Sequence, residues 1–281
     1  MSREHLLEAL EQHMRRQNVH GLYSLSMDHS PSEQLTGETW HTTVLIMSSH
    51  MQHEMLAVRL ARRLRHKTGI LMKWTNASKK YRDCFLSVFF EELNVSPAVS
   101  VFAISAKEGE IRDSAEHFIR ELGLQQHYNR VETLAGKIRV EIGPLMNVTK
   151  GEKVTISLSE NRALMGLFIA HFVIRMQSCM YEAAKNINQV SMINLNFLGD
   201  KFPGPPGQEM DLMFQALTSF SRATGRIAWG YFGESDTEQM DLLADNLAGA
   251  LNAMHRKQGD FPGFNSDKMD SGLFYWEVWS A

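Results

Sequence analysis

The sequence predicts an α/β fold: a mixed β-sheet flanked by helices, with an added C-terminal β segment. Three observations carry this. Runs rich in β-formers alternate with helical runs along most of the chain. The apolar run "AVSVFAIS" at 98–105 is of the kind that fills the middle of a sheet. Leu56, Leu60 and Leu64 recur at a four-residue spacing, which makes the stretch 50–67 an amphipathic helix able to cover such a sheet.

The first segment, "MSREHLLEALEQHMRRQ", reads as a polar amphipathic helix within residues 1–18; its acids and the lack of a continuous apolar run argue against a signal peptide. "GLYSLSMD" (21–28) and "WHTTVLIMSS" (40–49) read as neighbouring strands, with the loop-like "HSPSEQLTGET" between them. After the helix 50–67 come a short strand "ILMKW" (70–74), a helix from about Lys79 to Leu93, and the central strand 98–105. "IRDSAEHFIRELGL" reads as a helix, and "KIRVEIG" and "KVTISLS" as strands. Ser159 is placed to cap a long helix over 160–185. "QVSMINLNFLG" reads as a buried strand running into the Pro/Gly loop "DKFPGPPG". A helix from about Gln208 to Thr224, a strand 225–233, the helix holding "DLLADNLAGA" and the strand "GLFYWEVWS" follow, the last expected to dock on its own sheet. No repeat and no linker divides the chain. A single domain is expected over 1–281, with an N-terminal helix at 1–18 and a C-terminal extension at 257–281.

Composition narrows the function classes. The chain has 281 residues, and 43% of them are apolar, enough for a sizeable core. The balance of 29 basic against 32 acidic residues argues against a generally cationic coat and leaves nucleic-acid binding to a local patch. Two cysteines, Cys84 and Cys179, form no CxxC pair, so neither a disulfide framework nor a zinc finger is expected, and the natural setting is a reducing cytoplasm. "ALMGLFIAHFVI" (163–174) is too short to span a bilayer and contains His171, which excludes the membrane as a partner.

The chemistry rests on acids. Asp28 closes the first β-rich run, where it either forms a turn or projects over the sheet edge. Asp245 stands among Ala244, Ala248 and Gly249, small residues that let a helix approach a neighbour closely. It also continues a stripe with Glu238 and Asp241, which is how a solvated helix face looks too. Converging carboxylates are what a two-metal phosphodiesterase needs, because hard oxygen ligands hold Mg²⁺ at the attacking and leaving oxygens.

"YSLSMDHS" followed by a loop and "WHTTVLIMSS", together with "MDLLADNLAGALN" near the end, resembles the ribonuclease H-like family catalogued as domain of unknown function thirty-eight hundred. The likeness spans roughly residues 20–255, with motif-like identity at its two ends. It implies a ribonuclease H-like mixed β-sheet flanked by helices and a divalent-metal-dependent nuclease activity, hydrolysing phosphodiesters in phage defence or a mobile element. It also implies Mg²⁺ or Mn²⁺ as cofactor, held by Asp28 and Asp245. Two positions depart from the family. His29 stands where the family has Glu, and an imidazole is a poor Mg²⁺ ligand, suited to a softer metal or to a proton. Asn196 ends the buried strand where an Asp is expected, with Asp200 the nearest acid beyond it. Glu54 is the alternative third ligand, if the first helix carries an acid as in ribonuclease H itself. The departures favour a second expectation, a catalytically degenerate protein of this fold acting as a nucleic-acid-binding or assembly subunit, with a protein partner or a homo-oligomer then in view.

The nucleic acid, DNA or RNA, is expected on the one strong basic cluster: Arg59, Arg62, Arg63, Arg65 and Lys67, followed by Lys73, Lys79 and Lys80. Trp74 and Tyr81 are expected in the core rather than stacked on bases. His50 and His53 lack the supporting ligands of a zinc site, and the chain carries no P-loop, dinucleotide fingerprint or nucleophile elbow.

Overall fold

A computed structural model describes residues 3–16, 22–33, 38–48, 50–96, 98–114, 117, 128–134, 137–142, 154–187, 193–198, 227–232, 238–256 and 274–279. Two sheets are present among these residues. The larger has six strands: β1 (Leu22–Glu33), β2 (Thr39–Ser48), β3 (Ser100–Lys107), β7 (Ile193–Leu198), β8 (Ile227–Phe232) and β9 (Phe274–Val278). Their order is β8-β7-β1-β2-β3-β9. β2 runs antiparallel to β1 and β3, whereas β7 is parallel to β1, β8 to β7 and β9 to β3, so β2 alone is reversed and the sheet is mixed. The smaller sheet is an antiparallel meander of β4 (Tyr128–Leu134), β5 (Lys137–Ile142) and β6 (Val154–Ser159).

Side-chain alternation divides the large sheet into two dressed faces. Val44, Ile46, Val101, Ala103 and Phe274 point to one face, where they form a core with α2 (His50–Thr68), α3 (Lys79–Asn94) and a long helix near the end of the chain, labelled α6 (Glu238–Arg256). Its α2 contribution includes Leu56, Leu60 and Leu64, all buried, as the four-residue spacing predicts. The opposite face carries Tyr23, Phe102 and Tyr275, against α1 (Arg3–Arg16) and α5 (Glu160–Asn186). There His13 of α1 packs on Tyr23 and Phe102 and bonds Ser100 (2.7 Å), and Arg175 of α5 pairs with the buried Glu277 of β9 (2.9 Å). The short α4 (Glu108–Asp113) follows β3 directly. The architecture is therefore α/β, a mixed sheet flanked by helices, and the C-terminal β segment adds to the sheet's own edge beside β3.

Two elements differ from the sequence reading. "HSPSE" is not a loop: β1 continues through Glu33, because pairing with β2 extends from Asp28↔Val44 to Glu33↔Thr39 and satisfies the backbone that the polar composition suggested was open. "ILMKW" is not a strand. Gly69 (φ +80) takes the left-handed conformation at the end of α2, its N–H returning to the Arg65 carbonyl, and turns the chain. The following backbone is then held by side chains instead of a ladder: Met72 N–H donates to the Tyr81 hydroxyl (3.2 Å), and Asn246 Nδ2 donates to the Met72 carbonyl (3.1 Å). A single 3-10 turn, Trp74–Asn76, then leads to α3, whose first turn is capped by the Ser78 side chain accepting from Tyr81 N–H. β4 has no counterpart in the sequence reading. The expected helix over 208–224 lies outside the described residues, and of the expected helix 111–124 only residues 111–114 and 117 are described. No helix among the described residues is long and apolar enough to cross a membrane.

Candidate functional site

Asp28 sits in the interior of β1 rather than at its end, on the face covered by α2, α3 and α6. α6 lies across β1 and β2 on that face. Ala244, Leu247, Ala248 and Leu251 make its buried side, and Asn252 Nδ2 donates to the Ser30 carbonyl. Gly249 explains how close the helix comes: a Cβ there would stand 2.4 Å from Trp74 Cγ. The small residues that raised the question in the sequence do serve a close approach.

That approach brings Asp245 onto Asp28. The two carboxyls lie close enough to act on each other, and their environment favours the protonated form of Asp28, which is pushed up to about 7. Withdrawal from water is the largest cause; the Asp245 charge and its hydrogen bond add to it, while the His29 backbone N–H and the Lys73 charge oppose it. Asp245 Oδ2 also accepts the Trp74 backbone N–H (3.3 Å). Side chains from β1 and α6 and the backbone of the 72–74 segment thus meet at one point, and Lys73 stands exposed beside it.

The other acids proposed from the sequence are placed less fully. Glu54 lies near the start of α2, on the helix that covers this face, but its side chain is not described, and Asp200 lies outside the described residues. Asn196, on the neighbouring strand β7, is in register with Ser24 of β1, four residues before Asp28. Among the described residues no group of three or more His, Cys, Asp or Glu side chains is arranged to hold a metal ion.

His29 does not share the site. Successive residues of a strand point to opposite faces, so its side chain lies on the far side of the sheet from Asp28. There it is buried in a hydrogen-bonded row: His29 Nδ1 meets Thr43 Oγ1 (3.0 Å), His29 Nε2 meets His41 Nδ1 (3.0 Å), and His41 Nε2 faces Glu108 Oε2 (3.7 Å). Burial, then the neighbouring His41, pushes His29 down to about 3, so it is neutral at ordinary pH. The softer-metal and proton-handling roles beside Asp28 are therefore closed to it. Adjacency in sequence says nothing about facing; the strand period does.

The basic helix is divided in a way that a local scan cannot see. Arg59 Nε pairs with Glu92 (2.9 Å), and Arg63 pairs with Glu92 (2.8 Å) and with Glu91, all acids of α3. Arg62, Arg65 and Lys67 stay exposed. Glu92 is largely buried beneath these two arginines, so Glu92→Gln is expected to cost about 1–2 kcal/mol, read as a lower denaturation midpoint in urea. An unchanged midpoint would show that the pairs only decorate the α2–α3 contact. Trp74 and Tyr81 are buried, as expected of core residues. Arg82 lies over the Trp74 ring (5.1 Å) and donates to the Trp74 carbonyl (2.9 Å).

Compared with known proteins, the chain matches no family model, no curated protein and no solved structure.

Proposed function

We propose that the protein is a divalent-metal-dependent nuclease of ribonuclease H-like type, a divergent relative of the family its two motifs resemble. The observation that carries the reading is the Asp28–Asp245 contact: two acids from opposite ends of the chain meet in a partly dehydrated place. Burying like charges together is unfavourable, and a cation removes that cost. Hard carboxylate oxygens suit Mg²⁺ or Mn²⁺. The strand order supports the fold reading, since β3-β2-β1-β7-β8 with only β2 reversed is the arrangement expected of a ribonuclease H-like sheet, with the acids on its central strand and C-terminal helix.

In this reading Asp28 and Asp245 hold the metal, with Glu54 or Asp200 as the further ligand. A metal bound there supplies an activated water and stabilises the leaving oxygen of a phosphodiester. The chain's own part is to fix the acids. Trp74 N–H holds Asp245 Oδ2, the His29 backbone N–H supports the ionised form of Asp28, and α6 keeps the pair out of bulk water. Arg62 and Lys73, with Arg59 and Arg63 where their α3 partners release them, would bind the nucleic acid, DNA or RNA.

The test is a titration of the protein with millimolar Mg²⁺ or Mn²⁺, followed by thermal denaturation and by cleavage assays on single-stranded, duplex and hybrid oligonucleotides. Mn²⁺ is expected to raise the melting temperature by several degrees, as any ligand selective for the folded state does, and to support cleavage. No rise in melting temperature together with no cleavage of any of these substrates would refute the nuclease reading. A second reading, a catalytically degenerate nucleic-acid-binding or assembly subunit, is favoured by His29, which cannot join Asp28, and by Asn196, neutral where an acid is expected. It predicts oligonucleotide binding without cleavage, unaltered by Asp28→Ala.

A further inference from the structure

Lys73 differs from the other cations near the site in how it is mounted. Its flanking backbone is pinned on both sides: Met72 by Tyr81 and Asn246, Trp74 by Asp245 and Arg82. Trp74 itself is buried against Gly249 of α6. The ammonium, by contrast, is exposed, and it is close enough for its charge to act on Asp28. A flexible cation on an immobile base beside two acids is poorly explained as a structural ion pair, because a partner for stability would be buried with them. Arg59 and Arg63 show the alternative, with their charge engaged by Glu91 and Glu92.

Resting on the nuclease reading above, we propose that Lys73 is the substrate-binding residue of this site, contacting a non-bridging oxygen of the phosphodiester that faces Asp28 and Asp245. The ligand class is a nucleic-acid backbone phosphate. Its anionic oxygens are repelled by the two carboxylates unless a cation stands beside them, and Lys73 is exposed and next in the chain to the Trp74 N–H that Asp245 accepts. Asp245 then does two things: its carboxylate belongs to the acid pair, and its bond to Trp74 N–H fixes the segment that carries the phosphate contact. The exposed cations of α2, Arg62, Arg65 and Lys67, stand on another element and would bind phosphates further along the strand.

The experiment measures binding of fluorescent DNA and RNA oligonucleotides by anisotropy in Ca²⁺, which occupies oxygen sites while slowing cleavage, over a series of salt concentrations. Wild type, Lys73→Gln, Lys73→Arg and Lys67→Gln are compared, and Mn²⁺ binding to each is followed by calorimetry. Lys73→Gln is expected to weaken binding about tenfold, to reduce the salt slope by about one counterion, and to leave Mn²⁺ binding in place; Lys73→Arg is expected to restore most of the affinity. Lys67→Gln should change affinity less than Lys73→Gln. If Lys73→Gln binds oligonucleotide as wild type does, with the same salt slope, this inference falls and the nuclease reading stands. If wild type binds neither Mn²⁺ nor any oligonucleotide, both fall together.

Discussion

Asp28→Asn is expected to melt at a higher temperature than wild type at about pH 8 without metal, although it removes a central residue of the proposed site. The sign follows from the pKa. Asp28 in the folded protein is raised to about 7 from an ordinary 3.8, so the folded state binds a proton that the unfolded chain has already released. Its contribution to stability is fully present below the unfolded value and is lost as pH rises through the folded one. Above that window wild type keeps an ionised carboxylate beside Asp245 at a cost of about 1.4 kcal/mol for each unit of the shift. Asparagine mimics the protonated form and escapes the cost. Variant and wild type should therefore converge at about pH 4 and diverge by several degrees at about pH 8. Buried His13 and His29, both pushed down to about 3, act with the opposite sign: their contribution is lost as pH falls below an ordinary 6.5. They are the same in both proteins and cancel in the difference.

Metal should reverse the ranking. Mn²⁺ is expected to stabilise wild type and not Asp28→Asn, and cleavage should fall by at least about a hundredfold in the variant if the carboxylate holds the ion. A variant that melts lower than wild type at every pH would show that Asp28 is a structural residue, and the functional reading would lose its main support. This gain of stability on loss of a functional group is the pattern of a site held against the preference of the fold.

The second large effect is expected from Gly249→Ala. Ordinarily alanine stabilises a helix interior relative to glycine by about 1 kcal/mol. Here the new methyl would come within 2.4 Å of Trp74 Cγ and Cδ1 and 2.7 Å of its Cβ. These atoms are at the root of the side chain, so either the helix lifts or the whole 3-10 turn moves. Overpacking of this kind costs about 1–3 kcal/mol, and the net change is expected to be destabilising despite the propensity gain. Either movement also pulls Trp74 N–H away from Asp245, so the metal-induced rise in melting temperature should shrink with the stability. Trp74→Leu in the same background should restore part of the stability by vacating the space. A Gly249→Ala protein with unchanged melting temperature and unchanged metal response would mean that the helix is not seated as described.

Much of this was legible in the sequence, for identifiable reasons. Leu56, Leu60 and Leu64 share a face whatever surrounds them, so the amphipathic helix and its buried side follow from spacing alone. "AVSVFAIS" is apolar at every position that matters, and it is the buried strand β3, with partners on both sides. The small residues around Asp245 announced a close contact, and Gly249 makes it. What was not legible depended on partners distant in sequence. β1 continues past Asp28 only because β2 pairs with it, and no local rule reveals a strand in "HSPSE". "ILMKW" has strand composition, but Asn246 and Tyr81 take its backbone bonds. His29 looked like a neighbour of Asp28 and is one only along the chain. Arg59 and Arg63 looked free because Glu91 and Glu92 lie on the next helix. Lys73 entered the sequence reading as one of eight basic residues; its place beside the acids is a tertiary fact.

The meeting of Asp28 with Asp245 has a consequence in time as well as in space. Contacts between residues so far apart along the chain carry a large loop-closure cost and form late. During synthesis from the N-terminus, β1 and the 72–74 segment emerge long before α6 does. A nascent chain therefore has one acid of the pair, a loosely held Lys73 and an open face where α6 will dock. On the nuclease reading, such a chain cannot cut the message from which it is being made, and the late arrival of α6 arms the enzyme.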